Sequence, residues 1–226
     1  MHMKRYSMPK TWPLSVKESI WVGRPMPGPH GKDSCITLGI IVRDVLKYAE
    51  GMKEAKRLIK AGDIMVNKKV RKEERFPVGL MDTIEIPKAN DYFRVSVNSN
   101  GLVLEKIKAE NSDKKLCKIT RKSMMHGGRC QLGLHNGRSI IVSGAKSYSN
   151  GDSLLLHLPD QKILKHFKLE KNAQALIVDG KNRGMKGRIK EIKERKSMQE
   201  KATIIIDVKG NEIETLKKYV MVGEAS

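Results

Sequence analysis

The sequence predicts an α+β chain that is mostly β: an extended N-terminal arm, a small α/β module, a central β-domain and a C-terminal β unit. Three observations carry this reading. Helical spacing of apolar residues is confined to residues 37–61. From Tyr92 onward, short alternating runs are separated by Asn100-Gly101, Gly127-Gly128, Asn136-Gly137 and Asn150-Gly151, dipeptides suited to hairpin turns. Pro9, Pro13, Pro25, Pro27 and Pro29 all fall within the first 36 residues, where a long helix is therefore excluded.

The elements follow in order. Residues 1–36 read as extended, with Gly23, Gly28 and Gly31 loosening the backbone further. Trp12 and Trp21 stand there among Lys10, Lys17 and Arg24. Two uses fit them: rings that pack the arm onto the body, or rings that stack along RNA with cations between them. Residues 37–50 predict a helix, with Leu38, Ile41, Val42, Val45, Leu46 and Ala49 on one stripe, Thr37 as N-cap and Gly51 as stop. Residues 52–61 predict a second, with Ala55, Leu58 and Ile59 inward and Gly62 at its end. Ile64-Met65-Val66 and Thr83-Ile84-Glu85-Ile86 read as short strands, and Asn67-Lys68 as a turn, since Asn tolerates positive φ.

Beyond these, strands are expected at 92–97, 102–107, 115–120, 129–134, 139–142, 153–157 and 163–168. A last β unit is expected from Ala175–Val178, Met185–Ile192, Ala202–Val208, Ile213–Leu216 and Tyr219–Val222, with Lys193–Lys201 as a basic loop. The resulting divisions are 1–36, 37–88, 89–170 and 171–226.

Charge points to the partner. The 226 residues hold 45 Lys+Arg against 25 Asp+Glu, a formal net charge of +20. Such an excess strains a compact state by self-repulsion unless something neutralises it. The excess is spread: +4 over residues 1–40, +4 over 41–88, +8 over 89–168 and +4 over 169–226. A polyanion contacting most of the chain fits, because closely spaced phosphates reward many cations through counterion release. A membrane does not fit: there is no apolar span of about 20 residues and no basic amphipathic helix with bulky apolar residues opposite. The start, Met1-His2-Met3-Lys4-Arg5, leads to Pro9 and Pro13 rather than to the apolar core of a secretory signal. Cys35, Cys117 and Cys130 are too few and too scattered for a disulfide framework, so a reducing, cytoplasmic setting is expected.

The densest cationic surface is expected between Val42 and Ile86, where Lys53, Lys56, Arg57, Lys60, Lys68, Lys69, Arg71 and Lys72 fall at exposed positions. A second is expected at Gly180-x3-Gly184-x2-Gly187. No Lys-Ser/Thr and no helix follows this stretch, so it is not a nucleotide-binding loop. It reads as a tight β-turn presenting Lys181, Asn182, Arg183, Lys186 and Arg188, with the glycines permitting close backbone approach.

Catalysis finds no foothold. There is no GxSxG elbow and no evident pair of carboxylates in contrasting environments. Asp44 beside Arg43 reads as a helix-orienting group or an ion pair, and His30 in Pro29-His30-Gly31 as a loop contact. Cys117, His126, Cys130 and His135 lack the close pairs of a zinc site, and Cys117 reads as a small core residue. No cofactor is expected. Aromatics are only 4% of the chain, which favours backbone and shape recognition of structured RNA over sequence reading by splayed bases.

Particular stretches resemble known families. Arg43-Asp44, Glu54-Ala55-Lys56-Arg57-Leu58-Ile59, Gly62-Asp63-Ile64-Met65-Val66-Asn67 and Pro77-Val78-Gly79-Leu80-Met81-Asp82 resemble the S-four RNA-binding domain. Here Gly51-Met52 replaces that domain's usual Ser-Arg, and Asn67-Lys68 its usual Asn-Gly. Ala175–Ile192, with its three glycines, resembles the KOW motif. With Pro25-Met26-Pro27-Gly28-Pro29-His30 before them and Leu134-His135-Asn136-Gly137-Arg138 and Gly151-Asp152 to Leu158-Pro159 between, the order is similar to the archaeal/eukaryotic small-subunit ribosomal protein S-four-e family. The resemblance implies a non-enzymatic constituent of the ribosome with an SH3-like β-barrel at its C-terminal end, monomeric in isolation. Its implied partners are small-subunit rRNA and neighbouring ribosomal proteins. Arg43 joins Lys53, Lys56, Arg57, Lys60, Lys68, Lys69 and Arg71 as an expected RNA contact. Two other classes fit an RNA-binding module: a subunit of an RNA-modifying enzyme, and a transcription-elongation-type factor.

Overall fold

A computed structural model describes residues 2–144, 147–195, 197 and 200–223. The chain forms two compact units, Met1–Lys115 with His157–Asp160, and Leu116–Leu156 with Gln161–Ser226.

In the first unit the arm is extended only in two short strands, β1 (His2–Lys4) and β2 (Trp21–Gly23), which pair antiparallel with Met3 opposite Val22 and Lys4 opposite Trp21. Buried Arg5 holds the loop between them, donating to Ser19 Oγ at 2.6 Å and Glu18 Oε2 at 2.7 Å. The two tryptophans part company. Trp12 is 4% exposed and its indole N–H donates to the Cys35 carbonyl at 2.6 Å, whereas Trp21 is 55% exposed. Trp12 is the packing ring; Trp21 is not.

Strand β3 (Cys35–Thr37) pairs with a later strand, Pro77–Gly79. The helix expected over 37–50 is far shorter. Helix α1 (Leu38–Ile40) passes into a π-helical turn, Ile41–Val45, in which Leu46 N donates to Ile41 O at 2.8 Å, and Lys47 then takes a φ of 56°. Thr37 stands at the N-cap but its side chain caps nothing. The Leu38 and Gly39 amides instead donate to Phe76 O and Glu74 O at 3.0 and 2.8 Å. The neighbouring chain segment replaces the cap, and Leu38 through Val42 are all buried, so no solvated helix face exists here to sustain the expected stripe.

Helix α2 (Met52–Ala61) matches its expected bounds. Ala55 and Ile59 are buried and Leu58 is half-buried. Glu54 reaches back to accept from Glu50 N at 2.9 Å, and Gly62 ends the helix at a φ of 87°, a conformation that costs a glycine little. Strands β4 (Met65–Val66) and β5 (Lys69–Val70) are joined by Asn67 and Lys68, both at positive φ, 52° and 61°, as a two-residue hairpin turn requires.

With β6 (Pro77–Gly79) on β3, the chain continues through β7 (Thr83–Ile86), β8 (Asp91–Asn98) and β9 (Gly101–Lys106). These complete a five-stranded sheet of order β5-β4-β7-β8-β9. The division expected at 88/89 therefore cuts through this sheet, because β7 pairs directly with β8, Ile84 opposite Phe93. A short helix α3 (Ala109–Ser112) follows.

The second unit contains two five-stranded sheets. The first has the order β12-β11-β10-β13-β14, built from β10 (Lys114–Met124), β11 (Arg129–Leu134), β12 (Ser139–Ser143), β13 (Ser153–His157) and β14 (Lys162–Phe167). Strand β10 is longer than the expected 115–120, because its pairing with β11 runs on to Met124 opposite Cys130. Cys117, Ile119, Cys130, Leu132, Leu154 and Leu156 form its core. The second sheet has the order β18-β17-β16-β15-β19, from β15 (Gln174–Ile177), β16 (Lys186–Lys193), β17 (Thr203–Val208), β18 (Asn211–Leu216) and β19 (Val220–Val222). Ile177, Ile189, Ile204, Ile206 and Val220 form its core. Of the expected loop Lys193–Lys201, residues Lys196, Met198 and Gln199 lie outside the described residues. No helix among the described residues is long and apolar enough to cross a membrane.

Candidate nucleic-acid interface

The cations anticipated as a single surface fall into two groups. Lys53, Arg57 and Lys60 are exposed on α2 at spacings of four and three, which places them on one helix face. Lys69 is exposed on β5. These four form no ion pair among the described residues.

Lys72 is exposed likewise and forms no ion pair among the described residues, whereas Lys56, Lys68, Arg43 and Arg71 are held. Lys56 Nζ lies 2.8 Å from Glu74 Oε1, and that hydrogen bond and charge raise its ammonium above the ordinary lysine value. Lys68 turns inward to Glu85 Oε2 at 3.0 Å, Asp113 Oδ1 at 2.6 Å and Ser112 Oγ at 2.9 Å. Burial pulls its ammonium down, but the bonds to Asp113 and Glu85 outweigh that and leave it raised. Arg43 donates to Asp44 through Nε at 3.0 Å and a terminal nitrogen at 2.8 Å, the ion pair read from the sequence. Half-buried Arg71 lies with its guanidinium carbon 4.4 Å from the Phe76 ring centroid.

Behind this surface is a buried polar cluster that sequence reasoning missed. The Asp82 side chain is 1% exposed. Its Oδ2 accepts from His30 Nε2 at 3.0 Å and Gly79 N at 2.9 Å. Its Oδ1 accepts from Asn67 Nδ2 at 2.8 Å and from the Lys115 ammonium. Burial alone would raise the Asp82 carboxyl, but the Lys115 charge, the His30 bond and the Gly79 amide hold it well below the ordinary carboxylate range. The cluster ties the arm (His30) to the turn that carries Lys68 and Lys69 (Asn67). Gly79 makes room for it: a Cβ there would lie 2.4 Å from the His30 ring. The signal was present in the Pro-Gly-Pro-His and Pro-Val-Gly-Leu-Met-Asp stretches, which carry His30 and Asp82 but do not reveal that the two meet.

The glycine turn of the second unit presents Lys181 and Arg188 to solvent, with Asn182 and Arg183 half-buried and Lys186 exposed. Gly180 and Gly184 have φ of 95° and 80°. Gly187 serves close approach instead: a Cβ there would lie 2.3 Å from the Asp207 carbonyl oxygen. A strand follows, as expected, and not a helix. Lys118 is another held cation, donating to the carbonyls of Lys217, Lys218 and Val220 at 3.0, 2.9 and 2.6 Å. Burial, with the nearby Lys217 charge, pushes its ammonium down to about 8. Cys117 and Cys130 are fully buried in an apolar core and His126 is exposed. Among the described residues no group of three His, Cys, Asp or Glu side chains converges as a metal site would require.

Comparison with known proteins places this architecture. Residues 89–163 match the family model described as ribosomal family S4e, residues 1–33 the RS4NT domain and residues 45–84 the S4 domain. Small ribosomal subunit protein eS4 of Methanothermobacter thermautotrophicus is 40% identical over 222 residues, covering 98% of this chain and 91% of that protein. Its counterpart in Archaeoglobus fulgidus is 41% identical over 224 residues, covering 98% and 92%. The crystal structure of 30S ribosomal protein S4e from Thermoplasma acidophilum superposes with a TM-score of 0.73 at 33% identity, over 84% of this chain and 95% of that one. Matched from its arm to its last sheet by relatives at this identity, the chain belongs to the S4e family of ribosomal proteins.

Proposed function

We propose that this chain is a structural constituent of the small ribosomal subunit, where it binds and stabilises folded rRNA in the cytoplasm without catalysing a reaction. The observation that carries the reading is the α2 face: Lys53, Arg57 and Lys60, exposed and without an ion pair among the described residues, with Lys69 on the adjoining hairpin. Lys and Arg placed this way neutralise phosphates and fix orientation without reading sequence. Lys181, Arg183, Lys186 and Arg188 extend the contact on the glycine turn, with Asn182 as a hydrogen-bonding partner there. Arg43, Lys56, Lys68 and Arg71 act mainly by holding the surface in shape. Residues 171–226 serve as a KOW-type module of SH3-like form. The isolated chain is a monomer, and in the subunit it adjoins other ribosomal proteins. The names of the relatives, all small-subunit ribosomal proteins, support the assignment.

The test is charge reversal at Lys53→Glu with Arg57→Glu in the full chain, titrated with small-subunit rRNA across a salt series. Affinity should fall, and the slope of log K against log salt should become shallower by about 2, roughly 0.9 for each phosphate that is no longer neutralised. An unchanged affinity and slope would show that this face does not meet the RNA.

A further inference from the structure

The β1–β2 ribbon buries one face and exposes the other. On the inner face Met3 pairs with Val22, which is 3% exposed. One step along, Lys4 pairs with Trp21 and both face solvent. Directly paired residues of an antiparallel ribbon project from the same face, so Trp21 and Lys4 share the exposed face of the ribbon. The Lys4 ammonium in turn lies 5.6 Å from the centroid of the Tyr6 ring. Tyr6 is 71% exposed and Trp21 55%. The exposed face therefore carries two aromatic rings and an ammonium that lies over one of them. In a chain with only two tryptophans, one is buried and hydrogen-bonded and the other is left in solvent on a ribbon whose other side is packed.

A partner must cover two aromatic faces and a cation together. An apolar protein surface would cover the rings but strip water from the Lys4 ammonium without replacing it. A nucleotide complements both, offering a base to each ring and a phosphate to the ammonium. The surrounding charge agrees: residues 1–40 hold 6 basic and 2 acidic side chains, and one of the acids, Glu18, is paired with Arg5.

We infer that the exposed face of the β1–β2 ribbon is a base-stacking site for unpaired RNA nucleotides, with Trp21 and Tyr6 taking base faces and Lys4 the phosphate between them. This rests on the RNA-binding reading of the chain and adds a single-strand site to the phosphate-binding face of α2.

The tryptophans supply the test. Trp12 is shielded, so acrylamide quenching of the full chain reports mainly Trp21. Titration with a single-stranded oligonucleotide should quench this emission and protect it from acrylamide, while a blunt RNA duplex should do neither. Trp21→Ala and Tyr6→Ala should each weaken single-strand binding by about 5- to 150-fold, the range set by loss of one base–aromatic stack, and Trp21→Phe should retain most of it. The inference is overturned if Trp21 stays equally open to acrylamide at saturating single strand, or if Trp21→Ala binds like the unaltered chain. It is also overturned if Trp21→Ala binds RNA normally yet fails to enter small subunits, since a protein then covers the face. Lys53→Glu with Arg57→Glu keeps the two readings apart: loss of rRNA binding there with a flat Trp21 signal refutes the stacking site alone.

Discussion

Asp82 and Lys115 form an ion pair in which both side chains are only 1% exposed. The two residues lie 33 positions apart, and Lys115 is among the largest fully buried side chains of the chain. A cation that the sequence adds to the partner-binding excess is instead consumed inside the fold. Its carboxylate partner also holds Asn67 and His30, so one buried charge pair fixes the cationic hairpin and the arm together.

Replacing Asp82 by Asn leaves the Lys115 ammonium buried beside a neutral group. The expected cost is about 3–5 kcal/mol, the range for breaking a buried pair from one side. Denaturant unfolding of the two chains measures it, and a double substitution, Asp82→Leu with Lys115→Met, should recover part of the loss. The pair also sets an acid limit. Folding depresses the Asp82 pKa, so below about pH 4 the unfolded chain takes up a proton that the folded chain refuses. The stability contributed by Asp82 is complete above that pH and declines as pH falls further, a trend that Asp82→Asn should flatten.

Neighbouring lysines of one turn should behave differently. Lys69→Met should make the salt slope of rRNA binding shallower by about 1 and leave unfolding unchanged, as for one phosphate left without its cation. Lys68→Met should leave the slope nearly intact but lower stability by about 1–3 kcal/mol, because it strands Glu85, whose side chain is 4% exposed. Equal effects of the two on the slope would show that Lys68 leaves its carboxylates to meet RNA.

Gly187→Ala tests the close approach of β16 and β17. The added methyl would meet the Asp207 carbonyl at 2.3 Å and Ile206 Cγ2 at 2.7 Å, and the backbone oxygen can yield only if the strands separate. A decrease of about 1–3 kcal/mol is expected, as for overpacking, with faster hydrogen exchange along Thr203–Val208. A substitution tolerated without either change would mean that the two strands part easily.

Much of the fold was legible because its signals are local. Helix α2 was read to its end residues, since a stripe of Ala55, Leu58 and Ile59 and a stop at Gly62 lie within a dozen positions. The turn at Asn67-Lys68 and the strands 129–134 and 153–157 were legible for the same reason. The first helix was not. Its stripe looked equally regular, but Phe76 O and Glu74 O take its leading amides, and burial on all sides removes the contrast that a helical stripe depends on.

The sequence by itself determined the family, the mostly β architecture and the total charge of +20, because motif order, alternation and composition are properties of the chain as written. Only the tertiary structure decided which cations stay available at the surface. Lys53, Arg57, Lys60 and Lys69 keep their charge there, while Lys56, Lys68, Lys115 and Lys118 give theirs to Glu74, Glu85, Asp82 and the Val220 carbonyl. Those partners lie 17 to 102 positions away along the chain, and tertiary folding, not local periodicity, brings them within hydrogen-bond reach.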